Sequence, residues 1–137
     1  MPKKSWAEKF ESAKPPVVKR LDKNVAGMKA GQMMLIPSPK LIDDYIRSIP
    51  EGTSSDLSEM REELANQEGA ETTCPITSGI FLRIVAERMW DQNEQGAAMD
   101  ELTPVWRVIN TKTPTFKKLS FDGEFLIDQR RREGLGK

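Results

Sequence analysis

Residues 75–91 read PITSGIFLRIVAERMWD, and the spacing of their apolar side chains predicts the longest helix of the chain. Isoleucines recur at every fourth position of this stretch, at Ile76, Ile80 and Ile84. Pro75 suits the first position of a helix, and Thr73 or Cys74 precedes it as the cap. Because few of its positions are polar, we expect most of this helix to be buried.

Two shorter helices are predicted before this stretch. Residues 39–49 place their apolar side chains on one stripe, and Ser38 stands where a capping residue is needed. Residues 57–66 form the next helix, with Asp56 as its cap. A turn over residues 67–73 then leads into the long helix. This order indicates a helix-turn-helix unit, although the turn is longer than the usual one.

The C-terminal part of the chain predicts a small β element. Short strands are expected over residues 105–109 and 119–121, and a final helix over residues 125–132. A loop over residues 91–100 joins them to the long helix. Two strands after a helix-turn-helix unit form the wing of a winged helix-turn-helix. The expected fold class is therefore mainly α with a small β element (α+β).

Two parts of the chain are expected to differ in organisation. Residues 1–35 form an N-terminal arm, irregular apart from a short helix near Trp6, and residues 36–137 form the winged helix-turn-helix domain. The apolar run over residues 32–36 is predicted as a strand or as an extended segment laid on the core.

Composition excludes several classes of site. The chain has 137 residues, no His and one Cys, Cys74. Without His there is no Ser-His-Asp or Cys-His catalytic pair and no His-containing zinc site. One Cys allows neither an internal disulfide nor a cysteine metal cluster. We therefore expect no metal and no cofactor.

Neither a membrane partner nor secretion is expected from the apolar segments. The longest apolar run, residues 33–36, is far too short to span a bilayer. The first residues lack the apolar stretch of a signal peptide. Cytoplasmic localisation is the resulting expectation.

Charge is distributed unevenly, although 21 basic and 21 acidic residues leave a net charge of zero. Residues 1–30 carry a net charge of +5 and residues 103–137 a net charge of +4. Between them, residues 41–71 carry −7 and residues 72–102 carry −3. The basic ends either pair with the acidic middle or assemble into one basic face.

Five short motifs occur in the order that one protein family uses. They are Ser38-Pro39, Ile49-Pro50-Glu51-Gly52, Gly69-Ala70, Pro104-Val105-Trp106-Arg107-Val108-Ile109 and Glu133-Gly134. Over roughly residues 36–134 the chain resembles the C-terminal DNA-binding domain of the alkylguanine-DNA alkyltransferases. The resemblance implies that residues 75–91 are a recognition helix for double-stranded DNA, and that residues 104–107 replace the reactive segment of the family.

This replaced segment departs from the family at its two reacting positions. Val105 stands where the family has its acceptor Cys, and Trp106 stands where it has the activating His. Valine accepts no alkyl group, so direct alkyl transfer at this site is excluded. The chain is similar in this respect to the alkyltransferase-like proteins, which carry Trp in place of the Cys and bind alkylated DNA without repairing it. Here the Trp lies one position later.

Candidate DNA contacts follow from the same resemblance. The family inserts an Arg of the recognition helix into the duplex, and Ile76 stands at about that position, where an apolar wedge also unstacks bases. The Tyr with which the family contacts the phosphate of the flipped nucleotide is Leu57 here. Further candidates are Thr72, Thr73, Thr77, Ser78 and Arg83 on or before the helix, Arg107 in the degenerate motif, and Lys112, Lys117 and Lys118 on the wing. The competing interpretation is that these residues cap helices, form ion pairs or lie on the solvated surface.

The expected function is a non-catalytic, alkyltransferase-like DNA-binding protein that recognises alkylated guanine in DNA repair. A first alternative is a protein-interaction module that kept the winged-helix scaffold and lost DNA binding. A second alternative is an enzyme that uses Cys74 as nucleophile, since a helix N-terminus lowers the pKa of a thiol. A simply buried Cys is the competing interpretation of that position.

Overall fold

Five α-helices and one three-stranded sheet form the fold of residues 4–136, the part of the chain that this computed structural model describes. The helices are α1 (Trp6–Ser12), α2 (Pro39–Arg47), α3 (Leu57–Glu68), α4 (Pro75–Glu94) and α5 (Glu124–Arg132). The strands are β1 (Val17–Arg20), β2 (Met33–Ile36) and β3 (Thr72–Thr73). Short 3₁₀ segments lie at Met99–Glu101, Val105–Arg107 and Pro114–Lys118. The predicted class, mainly α with a small β element, is confirmed.

Capping groups define the ends of the predicted helices. The Ser38 hydroxyl accepts the Leu41 N–H at 3.1 Å, and the Asp56 carboxylate accepts the Glu59 N–H at 2.7 Å. Gly69 follows α3 with a φ of 72°, a left-handed conformation that glycine adopts without steric cost. The short helix predicted near Trp6 is confirmed as α1. The helices α2 to α5 are confirmed as well, and their ends lie within about three residues of the predicted ends.

The sheet lies where the sequence predicted an irregular arm and a single strand. β1 runs antiparallel to β2, with Val17 opposite Ile36, and β3 runs parallel to β2, with Thr73 opposite Leu35. Of the two alternatives predicted for residues 32–36, a strand or an extended segment, the structure has the strand, as β2. The irregular path predicted for the arm is wrong over β1, because all four side chains of that strand are exposed and give no alternation of apolar and polar residues.

Helix α4 is the centre of the core. Leu82, Val85 and Met89 are almost completely buried, and they belong to a cluster to which α2, α3, α5 and α1 also contribute. Burying a leucine of this kind stabilises the fold by about 2 kcal/mol. The side chains from the four other helices include Ile42, Ile46, Met60, Leu64, Leu126 and Phe10. The prediction that most of α4 is buried is confirmed for its middle, from Leu82 to Met89, and is wrong for its two ends.

The two strands predicted for the wing are not present in the described residues. Residues 105–109 begin with the 3₁₀ segment Val105–Arg107, and residues 119–121 form no strand. Val105, Val108 and Ile109 are fully buried, and a short run of buried residues looks the same in a strand and in a turn. The loop predicted over residues 91–100 is also shorter than expected, because α4 extends to Glu94 and a 3₁₀ segment begins at Met99. A winged helix is therefore not confirmed.

Membrane crossing was tested on the helices of residues 4–136. None of them combines the length and the apolar character that a bilayer span requires.

Candidate nucleic-acid interface

The first turns of α4 are the part of this helix that is exposed. Ile76 is 58% exposed and Ile80 is 54% exposed, whereas Ile84 on the same row is buried. Isolated exposed apolar residues are common on proteins, but two isoleucines on one helix face form a continuous apolar strip. This strip is the floor of a groove of about 790 Å³, called the α4 groove below.

The α4 groove is formed by four elements. Its other lining residues are Trp6 and Lys9 of α1, Leu57 at the start of α3, Pro75, Gly79, Arg83 and Ile84 of α4, and Pro114, Thr115 and Lys118 of the last 3₁₀ segment. Three of these side chains are cationic, and no acidic side chain lines the groove within residues 4–136. Since the whole chain has zero net charge, this local excess of positive charge is a property of the fold.

Trp6 lies beside two of the three cations. The Lys9 Nζ lies 4.2 Å from the centre of the Trp6 ring, and the Arg83 Cζ lies 5.0 Å from the same centre. Cation–π attraction to the indole favours both positions by about 0.5–1 kcal/mol each at an exposed site. The ring therefore holds two like charges close together at the rim of the groove.

Arg83 is also held from the core side of α4. Its Nε lies 3.3 Å from a carboxylate oxygen of Glu87, which is 1% exposed. The same carboxylate accepts the Ser120 N–H at 2.8 Å and the Ser120 hydroxyl. Glu87 thus connects α4 to the chain that follows Lys118, and it lies outside the lining of the α4 groove.

The sequence-predicted DNA contacts separate into two groups. Ile76, Arg83 and Lys118 meet in the α4 groove, with Leu57 beside them. Lys112 and Lys117 are exposed but do not line the groove. Sequence reasoning missed Trp6, Lys9, Ile80 and Thr115, and the regular spacing of Ile80 after Ile76 was the one signal for any of these.

Three of the four hydroxyl residues around the start of α4 have a buried hydroxyl group. The Thr73 hydroxyl donates to the Arg61 carbonyl at 2.6 Å, and Ser78, fully buried, donates to the Cys74 carbonyl at 2.6 Å. The Thr77 Oγ1 is buried and has no hydrogen-bond partner among the described residues. Thr72 lies in a separate depression beside α3. The structure therefore places these four hydroxyls outside the α4 groove.

The degenerate motif lines a different depression of about 770 Å³, called the Trp106 cavity below. Its charged lining residues are Arg47, Arg107 and Arg132 together with Glu51, Asp100 and Glu133, and Pro104 lines it as well. Positive and negative side chains are equal in number there. Val105, which stands at the acceptor position of the family that the chain resembles, has no exposed surface.

Glu133 is the centre of this second region. The Trp106 Nε1 donates to its carboxylate at 2.7 Å, the Arg107 Nε donates at 3.0 Å, and the Gly52 N–H donates at 2.9 Å. Burial raises the pKa of Glu133, but the hydrogen bonds from Arg107, Trp106 and Gly52 outweigh it, so the pKa lies below its ordinary value. Arg107, whose guanidinium also donates to the Ile49 carbonyl at 2.8 Å, is thereby engaged within the protein.

Cys74 lies at the start of α4 but does not face solvent. It is 8% exposed and packs with Leu21, Met28 and Met34 in a small apolar cluster. Its side chain makes no capping hydrogen bond to α4. Within residues 4–136, no group of three or more His, Cys, Asp or Glu side chains is arranged to hold a metal ion.

Comparison with known proteins adds no relative. No protein-family model matches the sequence, and neither a curated protein nor a solved structure matches it. The likeness to the alkyltransferase domain therefore rests on the order of its short motifs alone.

Proposed function

We propose that this protein is a non-catalytic DNA-binding protein that takes duplex DNA against the α4 groove. The observation that carries this proposal is the lining of the groove, which includes Lys9, Arg83, Lys118 and two exposed isoleucines but no acidic side chain of the described residues. Arg83 is paired with Glu87 outside this lining, so Lys9 and Lys118 are the groove cations that form no ion pair among the described residues. Phosphates supply most of the affinity of proteins for DNA, and they require such cations. The apolar floor suits contact with sugars or an opened base step.

The second helix of a helix-turn-helix unit is the element that contacts DNA in many such proteins, and α4 has that position after α3. Its first turns are also its exposed part. In this proposal Ile76 contacts the bases or wedges between them, while Arg83 and Lys118 contact phosphates on either side. Affinity should then fall steeply with salt concentration.

The absence of alkyl transfer follows from the chain itself. Val105 carries no nucleophile and is buried, and the chain contains no His to activate one. We propose alkylated guanine as the preferred lesion only on the strength of the motif order, so the experiment includes duplexes with and without it.

The test is a fluorescence-anisotropy titration of a labelled duplex at about 50 mM salt, where counterion release favours binding. We expect saturable binding, and a linear fall of log K with log salt. Tighter binding of the duplex that contains alkylguanine supports lesion recognition, and equal binding removes that part of the proposal. Undetectable binding of both duplexes contradicts DNA binding altogether.

A matched pair of variants locates the interface. Lys118→Gln removes a cation that lines the α4 groove, and Lys29→Gln removes an exposed cation outside it. We expect Lys118→Gln to reduce the magnitude of the salt slope by about 0.9, which is the value of one phosphate contact, and Lys29→Gln to leave it unchanged. Equal effects of the two variants would mean that charge acts without a defined interface.

A protein partner is the second candidate, and the exposure of Ile76 and Ile80 favours it. A partner helix with an apolar face and acidic flanks fits the α4 groove by shape and by charge. If the protein binds no duplex, titration with an acidic amphipathic peptide and its scrambled control tests this candidate. The candidate is supported if the amphipathic peptide binds, its scrambled control does not, and Ile80→Ser abolishes the binding.

A further inference from the structure

Helix α1 separates the α4 groove from a second groove of about 490 Å³, called the α1 groove below. Lys4, Lys9 and Lys14 line the α1 groove, and Phe81 and Ile84 of α4 lie at its base. Lys9 and Ile84 line both grooves, so the two depressions adjoin each other at these residues.

The charge of the α1 groove has the same sign as that of the α4 groove. Within the described residues, none of its lining side chains is acidic. The two acids of α1 lie outside this lining: Glu8 accepts the Ser5 N–H at 3.1 Å, and Glu11 lies 3.8 Å from Lys40. The lining of the α1 groove therefore carries three cations, with the exposed carboxylate of Glu8 near Lys4 as the opposing charge beside it.

Helix α1 is fixed on the core and does not act as a loose basic tail. Phe10 is 4% exposed and belongs to the main apolar cluster, and Arg88 of α4 lies 4.1 Å from the centre of its ring. The Lys4 Nζ donates to the Ser12 hydroxyl at 3.1 Å, which holds this lysine along α1. Cations on a fixed helix cost less conformational entropy when they bind a ligand.

We infer that residues 4–14 form part of the DNA interface, and that Lys4, Lys9 and Lys14 contact phosphates beyond the reach of α4. The occupant of the α1 groove is the same duplex that occupies the α4 groove, because the two grooves share Lys9 and Ile84 and the charged side chains that line both of them are cationic. This inference rests on the proposed function. Phosphate contacts carry no sequence information, so these lysines contribute equally to plain and alkylated duplexes.

The experiment compares two triple variants of the full chain that remove the same charge. K4Q/K9Q/K14Q removes the lysines of the α1 groove, and K19Q/K23Q/K29Q removes three exposed lysines that line neither groove. We expect the first variant to reduce the magnitude of the salt slope by about 2.7 and the second to leave it unchanged. The ratio of affinities for the two duplexes should stay the same in both variants.

A second variant guards against a change in fold. K4Q/K14Q keeps Lys9 beside Trp6, and we expect it to reduce the magnitude of the slope by about 1.8 with an unchanged urea midpoint. If the wild-type protein binds DNA and neither K4Q/K9Q/K14Q nor K4Q/K14Q changes the salt slope, the inference is overturned and the proposed function stands. Failure of the wild-type protein to bind DNA would overturn both.

Discussion

The α4 groove and the Trp106 cavity have nearly equal volumes, about 790 Å³ and about 770 Å³, and three cationic side chains line each of them. In the Trp106 cavity three acidic side chains accompany these cations, and Arg107 is bound to a carboxylate. In the α4 groove no acidic side chain of the described residues belongs to the lining, and Arg83 alone of its cations is paired, with the buried Glu87. Lys9 and Lys118 form no ion pair among the described residues, so they are the cations that pairing leaves free to bind a ligand.

Removing the shared carboxylate of the Trp106 cavity is the largest expected disturbance. Glu133→Ala leaves the Arg107 guanidinium and the Trp106 N–H without their acceptor. Breaking a largely buried pair in this way costs about 3 kcal/mol, which urea unfolding of the variant measures. Asp128→Ala is the control, because its pairs with Arg131 and Arg132 are exposed and contribute less than about 1 kcal/mol. Equal losses in the two variants would contradict a structural role for the cavity.

Acid tests the same carboxylate with a smaller effect. Because the pKa of Glu133 is lower in the folded protein than the ordinary value of 4.5, its ionised form stabilises the fold above that pH. This stability is lost as pH falls through the lowered pKa. Urea midpoints measured from pH 7 down to pH 3 should therefore fall less steeply for Glu133→Gln than for the wild type. Parallel pH profiles would show that the hydrogen bonds to Glu133 do not favour its ionised form.

The smallest effect on stability is expected in the α4 groove. Ile76→Ser should change the free energy of unfolding by only about 0.5 kcal/mol, since the side chain is more than half exposed. The same change should weaken binding of duplex DNA in the anisotropy titration. Val25→Ser is the control, because Val25 is 40% exposed and lies outside both grooves. We expect it to be as stable as Ile76→Ser and to bind DNA like the wild type. A large loss of stability in Ile76→Ser would show that the Ile76 side chain belongs to the core and not to an exposed surface.

Local signals were sufficient for the helices but not for the β element. Ser38 and Asp56 cap the helices that their positions predicted, because a capping hydrogen bond depends on neighbours a few residues away. Val105, Val108 and Ile109 suggested a strand, but they are buried in and directly after the 3₁₀ segment Val105–Arg107. β3 consists of only two residues, Thr72 and Thr73, and no periodicity arises in so short a segment.

The candidate interface was only partly predictable. Ile76, Arg83 and Lys118 were candidates because of the helix and motif to which they were assigned. Trp6 and Lys9 were not, since about 70 residues separate them from α4 and their contact with it is long-range. The inward direction of the Thr73 and Ser78 hydroxyls was equally hidden, because a helical or strand residue of either type caps, packs or binds according to its surroundings.

Sequence alone establishes three properties of this protein: its five helices, the impossibility of histidine chemistry, and a neutral charge that is divided between basic ends and an acidic middle. These depend on composition and on interactions between near neighbours. Which charges remain unpaired depends on distances between residues far apart in the chain. Only the packing of α1 beside α4, and of Glu133 beside Arg107, makes one depression basic and the other neutral.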